Sequence, residues 1–132
     1  MEIKIEQPIA LHLEVFETDD RVPSMHVKVQ IVVSQFQHTC RYDGAFWIEC
    51  ASWSRFSDSL LDSSWQEAVL QDMSGYFMLV LRRTDKAMQL IWKFVKTDVG
   101  NGREMSVAFS SEIDDDMLGK IKREFLCFPV WW

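Results

Sequence analysis

Apolar and polar side chains alternate along much of this chain, and the period of the alternation predicts the elements. Residues 2 to 6 and 11 to 17 run with period two, Leu11, Leu13 and Val15 on one side and His12, Glu14 and Phe16 on the other, which predicts two strands. Thr18 to Ser24 reads as a polar loop. Beyond it Val27, Val29, Ile31 and Val33 alternate with His26, Lys28 and Gln30, the clearest strand of the chain. Asp43-Gly44 stands between Phe36–Tyr42 and Ala45–Cys50, and Asp-Gly is the preferred pair for a two-residue hairpin turn. That turn would set Tyr42 against Ala45, Cys40 against Trp47 and His38 against Glu49, with Cys40 and Cys50 on opposite faces of the ribbon.

The period then lengthens. Trp53, Phe56, Leu60 and Leu61 follow helical spacing behind Ser52, a suitable N-cap, so a helix is expected over about 53–61. Trp65 to Leu70 fits either an extension of that helix or a strand, with a strand favoured from Ala68 into the turn Asp72 to Gly75. From Tyr76 the alternation returns. An even loop around Thr84-Asp85 would set Phe77 opposite Trp92, Leu79 opposite Leu90 and Leu81 opposite Met88. A second even loop around Gly100-Asn101-Gly102 would set Phe94 opposite Met105, Trp92 opposite Val107 and Leu90 opposite Phe109, leaving one continuous apolar face over residues 76–110.

A closing helix is expected over 112–127. Ser111 would open it with Asp114 at the capping-box position, acids lie in its first turn, and Lys120, Lys122 and Arg123 lie near its end, as the helix dipole prefers. Ile113, Met117, Ile121 and Phe125, with Leu118 and Phe128 beside them, form a stripe that should lie on the meander. The expected fold class is α+β, a predominantly antiparallel sheet of seven or eight strands packed with two helices. No internal repeat, low-complexity tract or linker is legible, and the 132 residues are read as a single domain, 1–132.

Composition narrows the chemistry. The longest apolar run, Tyr76 to Leu81, is far shorter than a membrane-spanning helix, and the charged, alternating start Met1 to Glu6 is unlike a signal peptide, so neither membrane insertion nor export is expected. Cys40, Cys50 and Cys127 are an odd number at spacings that match no thiolate metal motif, which suits a reducing, cytoplasmic compartment. A formal charge of −6 repels phosphate backbones and favours a basic partner protein over nucleic acid.

Catalytic and metal-binding signatures are not expected. No serine sits in a nucleophile elbow, and His38 facing Glu49 across the hairpin is the single candidate acid/base pair. His38 and Cys40 would supply two metal ligands at most, and Asp114, Asp115 and Asp116 diverge around a helix rather than converge on an ion. Gly100-Asn101-Gly102 joins two strands instead of opening a helix, so it is no phosphate cradle. Arg82, Arg83, Lys86, Lys93 and Lys96 read as a solvated strand face. No cofactor is expected. Six tryptophans are many for this length, and aromatic side chains beside acids are common at protein-binding surfaces. Asp43, Trp47, Glu49, Trp53, Asp58 and Asp62 are the candidate partner-binding residues, and Trp131 and Trp132 would either fold back on the domain or form a homo-oligomer contact.

The pattern Phe46-Trp47-Ile48-Glu49, the run Trp53 to Leu60, the strand Gly75 to Leu79 and the helix Ser111 to Leu126 together resemble a small bacterial family of immunity-type proteins from wall-associated polymorphic toxin systems. The resemblance covers roughly His26 to Phe128. It implies a cytoplasmic, non-enzymatic, often acidic protein that binds and neutralises a cognate toxin domain. The alternative reading is a small-ligand-binding β domain, suggested by the aromatic content and by Met78, Val80 and Ile91 on the second sheet face.

Overall fold

The computed structural model describes residues 1–62 and 64–132. Four strands, β1 (Glu2–Ile5), β2 (Ala10–Asp19), β3 (Ser24–Gln35) and β4 (His38–Glu49), lead into helix α1 (Cys50–Leu61). Four more, β5 (Glu67–Gln71), β6 (Phe77–Arg83), β7 (Met88–Asp98) and β8 (Arg103–Ile113), lead into α2 (Asp115–Leu126). Each set of four is an antiparallel meander in chain order, so the fold is α+β and mainly β, built as the same ββββα succession twice.

The inner faces of both sheets and the buried faces of both helices share one apolar core. Ile3, Leu11, Leu13, Val27, Val29 and Ile31 line the first sheet, and Leu70, Phe77, Leu79, Leu81, Leu90 and Trp92 line the second, all essentially inaccessible to solvent. Ring contacts join the sheets: Tyr42 lies 5.5 Å from Trp92 and 5.4 Å from Phe94, and Phe46 lies 5.2 Å from Phe77. Each helix packs along the first strand of the opposite sheet, α1 on β5 and α2 on β1. The helices meet through Trp53, Phe56 and Phe125, with ring centroids 5.5 Å apart for Trp53–Phe125 and 4.9 Å for Phe56–Phe125.

Asp43-Gly44 makes no turn. It lies inside β4, opposite Val29 and Gln30, and the hairpin falls at Phe36-Gln37 between the paired residues Gln35 and His38. Packing decides this. A Cβ on Gly44 would stand 2.5 Å from Tyr42 Oη, so the glycine gives the Tyr42 ring room to lie along the strand inside the core. Phe36 and Gln37 take the positive φ values, 53° and 65°, that a two-residue primed turn requires. The expected pairs Tyr42–Ala45, Cys40–Trp47 and His38–Glu49 are therefore absent, because all six residues belong to one strand.

The second meander keeps its predicted faces but shifts by two residues. Phe77 pairs with Phe94, Leu79 with Trp92 and Leu81 with Leu90, while Phe94 pairs with Val107 and Trp92 with Phe109. The first of these turns closes one residue later than expected: Thr84 N–H donates to the Ala87 carbonyl at 2.8 Å, and the Thr84 hydroxyl accepts from Ala87 N–H at 3.1 Å. Moving a turn by one residue moves the register by two and leaves every side chain on its face. The strand expected from Ala68 is β5.

Both helices start elsewhere than expected. α1 begins at Cys50, with Ser52 inside it, and α2 begins after β8 has continued through Ser111 to Ile113. Asp114 is the N-cap of α2, its carboxylate accepting from Met117 N–H at 2.8 Å. The buried stripe Ile121 and Phe125 faces β1 and α1 instead of the meander. No helix among the described residues is long and apolar enough to cross a membrane.

Candidate interaction surface

The outer face of the first sheet carries two rows of side chains that cross its strands. One row is aromatic. Trp47 of β4 stacks on His26 of β3, centroids 4.7 Å apart and planes 11° from parallel, and Phe16 of β2 lies 4.2 Å from the other side of that imidazole. A register shift between Val15 and Glu17 places both Phe16 and Glu17 beside His26, and Glu17 Oε2 lies 3.2 Å from His26 Nδ1. Phe16 remains 55% exposed, an apolar ring at the end of an otherwise supported row.

The other row is polar and spans all four strands. Glu2 Oε2 lies 2.9 Å from His12 Nε2, His12 Nδ1 lies 3.3 Å from Gln30 Oε1, and Gln30 Nε2 donates to Asp43 Oδ1 at 3.1 Å. Arg41 Nε donates to Asp43 Oδ2 at 2.9 Å. Hydrogen bonds from Arg41 and then Gln30 hold the Asp43 carboxyl below its ordinary range, and His12 followed by Lys4 does the same for Glu2. Both acids are thus anionic at neutral pH, in fixed positions. Glu14, Lys28 and Ala45 occupy the row between.

Of the six predicted residues, Asp43, Trp47 and Glu49 share this face, because odd positions of β4 point outward while Tyr42, Phe46 and Ile48 point into the core. Trp53 does not belong to the surface: at 1% exposure it joins the two helices in the core, and its helical spacing with Phe56 and Leu60 carried that signal. Asp58 is exposed on α1. Asp62 follows α1, where its carboxylate accepts from Ser64 N–H at 2.9 Å and from the Ser64 hydroxyl at 2.7 Å, bonds that lower its pKa. Phe16, His26, Glu2 and His12 were missed as surface partners. Their common signal was alternation, since Glu2, His12 and His26 alternate with the buried Ile3, Leu11, Leu13 and Val27, and Phe16 follows the partly buried Val15.

The acid/base candidate dissolves, because His38 and Glu49 mark opposite ends of β4. Cys40 and Cys127 are exposed free thiols, and Cys50 is a buried one whose pKa burial pushes up. Among the described residues no cluster of three or more His, Cys, Asp or Glu has the geometry to hold a metal ion. Beside the β4 edge lies an open cleft of about 420 Å³, where Tyr42, Phe46 and Phe94 meet Tyr76, Asp72 and Lys96. Asp72 is occupied there by the β5–β6 turn, accepting from Phe77 N–H at 2.8 Å, and Lys96 Nζ stands 5.2 Å from the centre of the Tyr76 ring. The Trp131-Trp132 tail folds back, Trp132 Nε1 donating to Ser54 Oγ of α1 at 2.9 Å. Comparison with protein-family models, with curated proteins and with solved structures gives no match to this chain.

Proposed function

We propose that this protein is a non-enzymatic binding protein of the bacterial cytoplasm, of immunity type, which neutralises a basic toxin domain by covering it with the outer face of its first sheet. The aromatic row Phe16–His26–Trp47 beside the anchored anions Glu2 and Asp43 carries this reading. Large rings held in place by their neighbours lose little entropy on binding, and pre-positioned carboxylates steer a cationic partner. Charge distribution supports the same face: residues 1–62 hold ten acids and five bases, whereas ten and nine follow.

The test is co-expression with, and pull-down of, the product of a neighbouring gene. A basic protein should be recovered, its association should slow as salt rises, and growth inhibition by that protein should be relieved. Phe16→Ala with Asp43→Lys should weaken the complex by about a hundredfold, as loss of an aromatic anchor plus a charge reversal implies. Binding that is indifferent to both substitutions would exclude this face.

A further inference from the structure

Each sheet has two edge strands, and unpaired edge backbone is a template for another strand unless something covers or charges it. Three of the four edges are managed. β1 lies along α2, whose Glu124 carboxylate accepts from Lys4 N–H at 3.1 Å. β5 lies along α1. β4 takes a hydrogen bond from the β5–β6 turn, Met73 N–H to the Trp47 carbonyl at 2.8 Å, and carries the Arg41–Asp43 ion pair. β8 differs: it is a regular strand of 11 residues without proline, paired with β7 alone among the described strands.

Alternation decides which of its groups are free. Val95 of β7 donates toward β6, to the Tyr76 carbonyl at 3.0 Å, so the odd positions of β7 turn to β6 and the even ones to β8. The pairs Phe94–Val107 and Trp92–Phe109 therefore use the main-chain groups of odd positions in β8. Those of Glu104, Ser106, Ala108, Ser110 and Glu112 point away from the sheet. The Glu112 carbonyl already accepts from Ser111 Oγ at 3.0 Å, which ends the open stretch.

We infer that β8 pairs antiparallel with β8 of a second copy of this chain, about a twofold axis at Val107, joining the second sheets of the two copies into one. In that register Ser106 faces Ala108 of the second copy and Glu104 faces its Ser110, so the free main-chain groups from 104 to 110 are all satisfied. An axis at Ala108 would instead set Glu104 against Glu112, like charges directly opposite. On the inner side Val107 meets its own counterpart and Met105 meets Phe109, side chains the single copy leaves partly bare, Met105 at 55% exposure. The outer side chains at the centre, Ser106, Ala108 and Ser110, are small and neutral, and Glu104 meets Ser110 rather than another acid, so no like charges stand opposite each other. The interface uses the second sheet and is independent of the binding face on the first, which stays open in both copies.

Sedimentation equilibrium over a concentration series reaching hundreds of micromolar tests this. The mass should rise from 15.5 kDa toward twice that value. Ser106→Lys with Ala108→Lys sets lysine against lysine on both sides of the axis at exposed positions, and should raise the dissociation constant about tenfold or more while leaving the circular dichroism spectrum unchanged. Mixing Ser106→Lys with Ala108→Glu should give a heterodimer tighter than either variant alone, because the introduced charges then face each other. A chain that stays monomeric throughout, or a dimer indifferent to the double lysine variant, would overturn the inference. So would a monomer that loses a basic partner on that substitution, which would assign the edge to the partner's strand.

Discussion

The two ββββα halves have one topology and are finished differently. In the first, both faces of the sheet are settled: the inner face is almost wholly buried, and the outer face carries the aromatic and polar rows. In the second, the apolar side of β8 is only half covered, and Val80 is buried on the outer face among neighbouring side chains, outside the shared core. Repeated topology here does not mean repeated use. The first half concentrates acid and aromatic side chains on a broad face, whereas the second leaves backbone exposed along an edge. The halves are nevertheless interdependent, since each helix packs along the first strand of the other sheet.

That exchange of helices is the first thing to break. Ile121→Asp puts a carboxylate at a fully buried site on α2 and should cost more than about 4 kcal/mol, abolishing the cooperative unfolding transition of both sheets together. If near-ultraviolet circular dichroism showed one sheet still packed, the halves would be separable. Gly44→Ala tests the packing that keeps β4 continuous. The added methyl collides with Tyr42 Oη and should lower stability by about 1–3 kcal/mol in chemical denaturation, with the ring contacts to Trp92 and Phe94 disturbed.

Phe36→Asn with Gln37→Gly goes the other way. Both positions hold positive φ without glycine, and Phe36 is 89% exposed, so the change should stabilise the protein by about 1 kcal/mol. A loss of stability instead would show that the Phe36 ring contributes more than its backbone costs. The smallest effect at neutral pH belongs to Tyr42. Its pKa is pushed up to about 12, mainly by burial and then by the charge of Asp72. Because the folded value exceeds the unfolded one of about 10, its contribution is whole below pH 10 and is lost as pH rises toward 12. Tyr42→Phe should therefore flatten the fall in thermal midpoint across that window.

Much of the fold is legible in residue order because period and face are local properties. The strands β1 to β3, the apolar face of the second meander and the stripe of α2 follow from alternation and spacing, whereas residues 65–70 fit helix or strand until β5 pairs with β6. Turn placement was harder. Asp43-Gly44 is a strong local turn signal, yet its glycine answers to the Tyr42 ring, while Phe36-Gln37 has no local turn signal and bends because the strands on either side are held. The candidate face was half visible: Asp43, Trp47 and Glu49 lie on it, but the stack with Phe16 and His26 requires the β2–β3–β4 register.

Residue order sets the apolar face of most strands and helices, the antiparallel character of the sheets and the excess of acids over bases in the first half. Where a stripe of apolar residues docks is another matter, because hydrophobic burial is non-directional and Ile121 and Phe125 would be equally satisfied by any apolar surface. The tertiary structure is what sends α2 across to β1, runs β4 straight through its glycine and, among the described strands, leaves β8 with a long regular edge paired on one side.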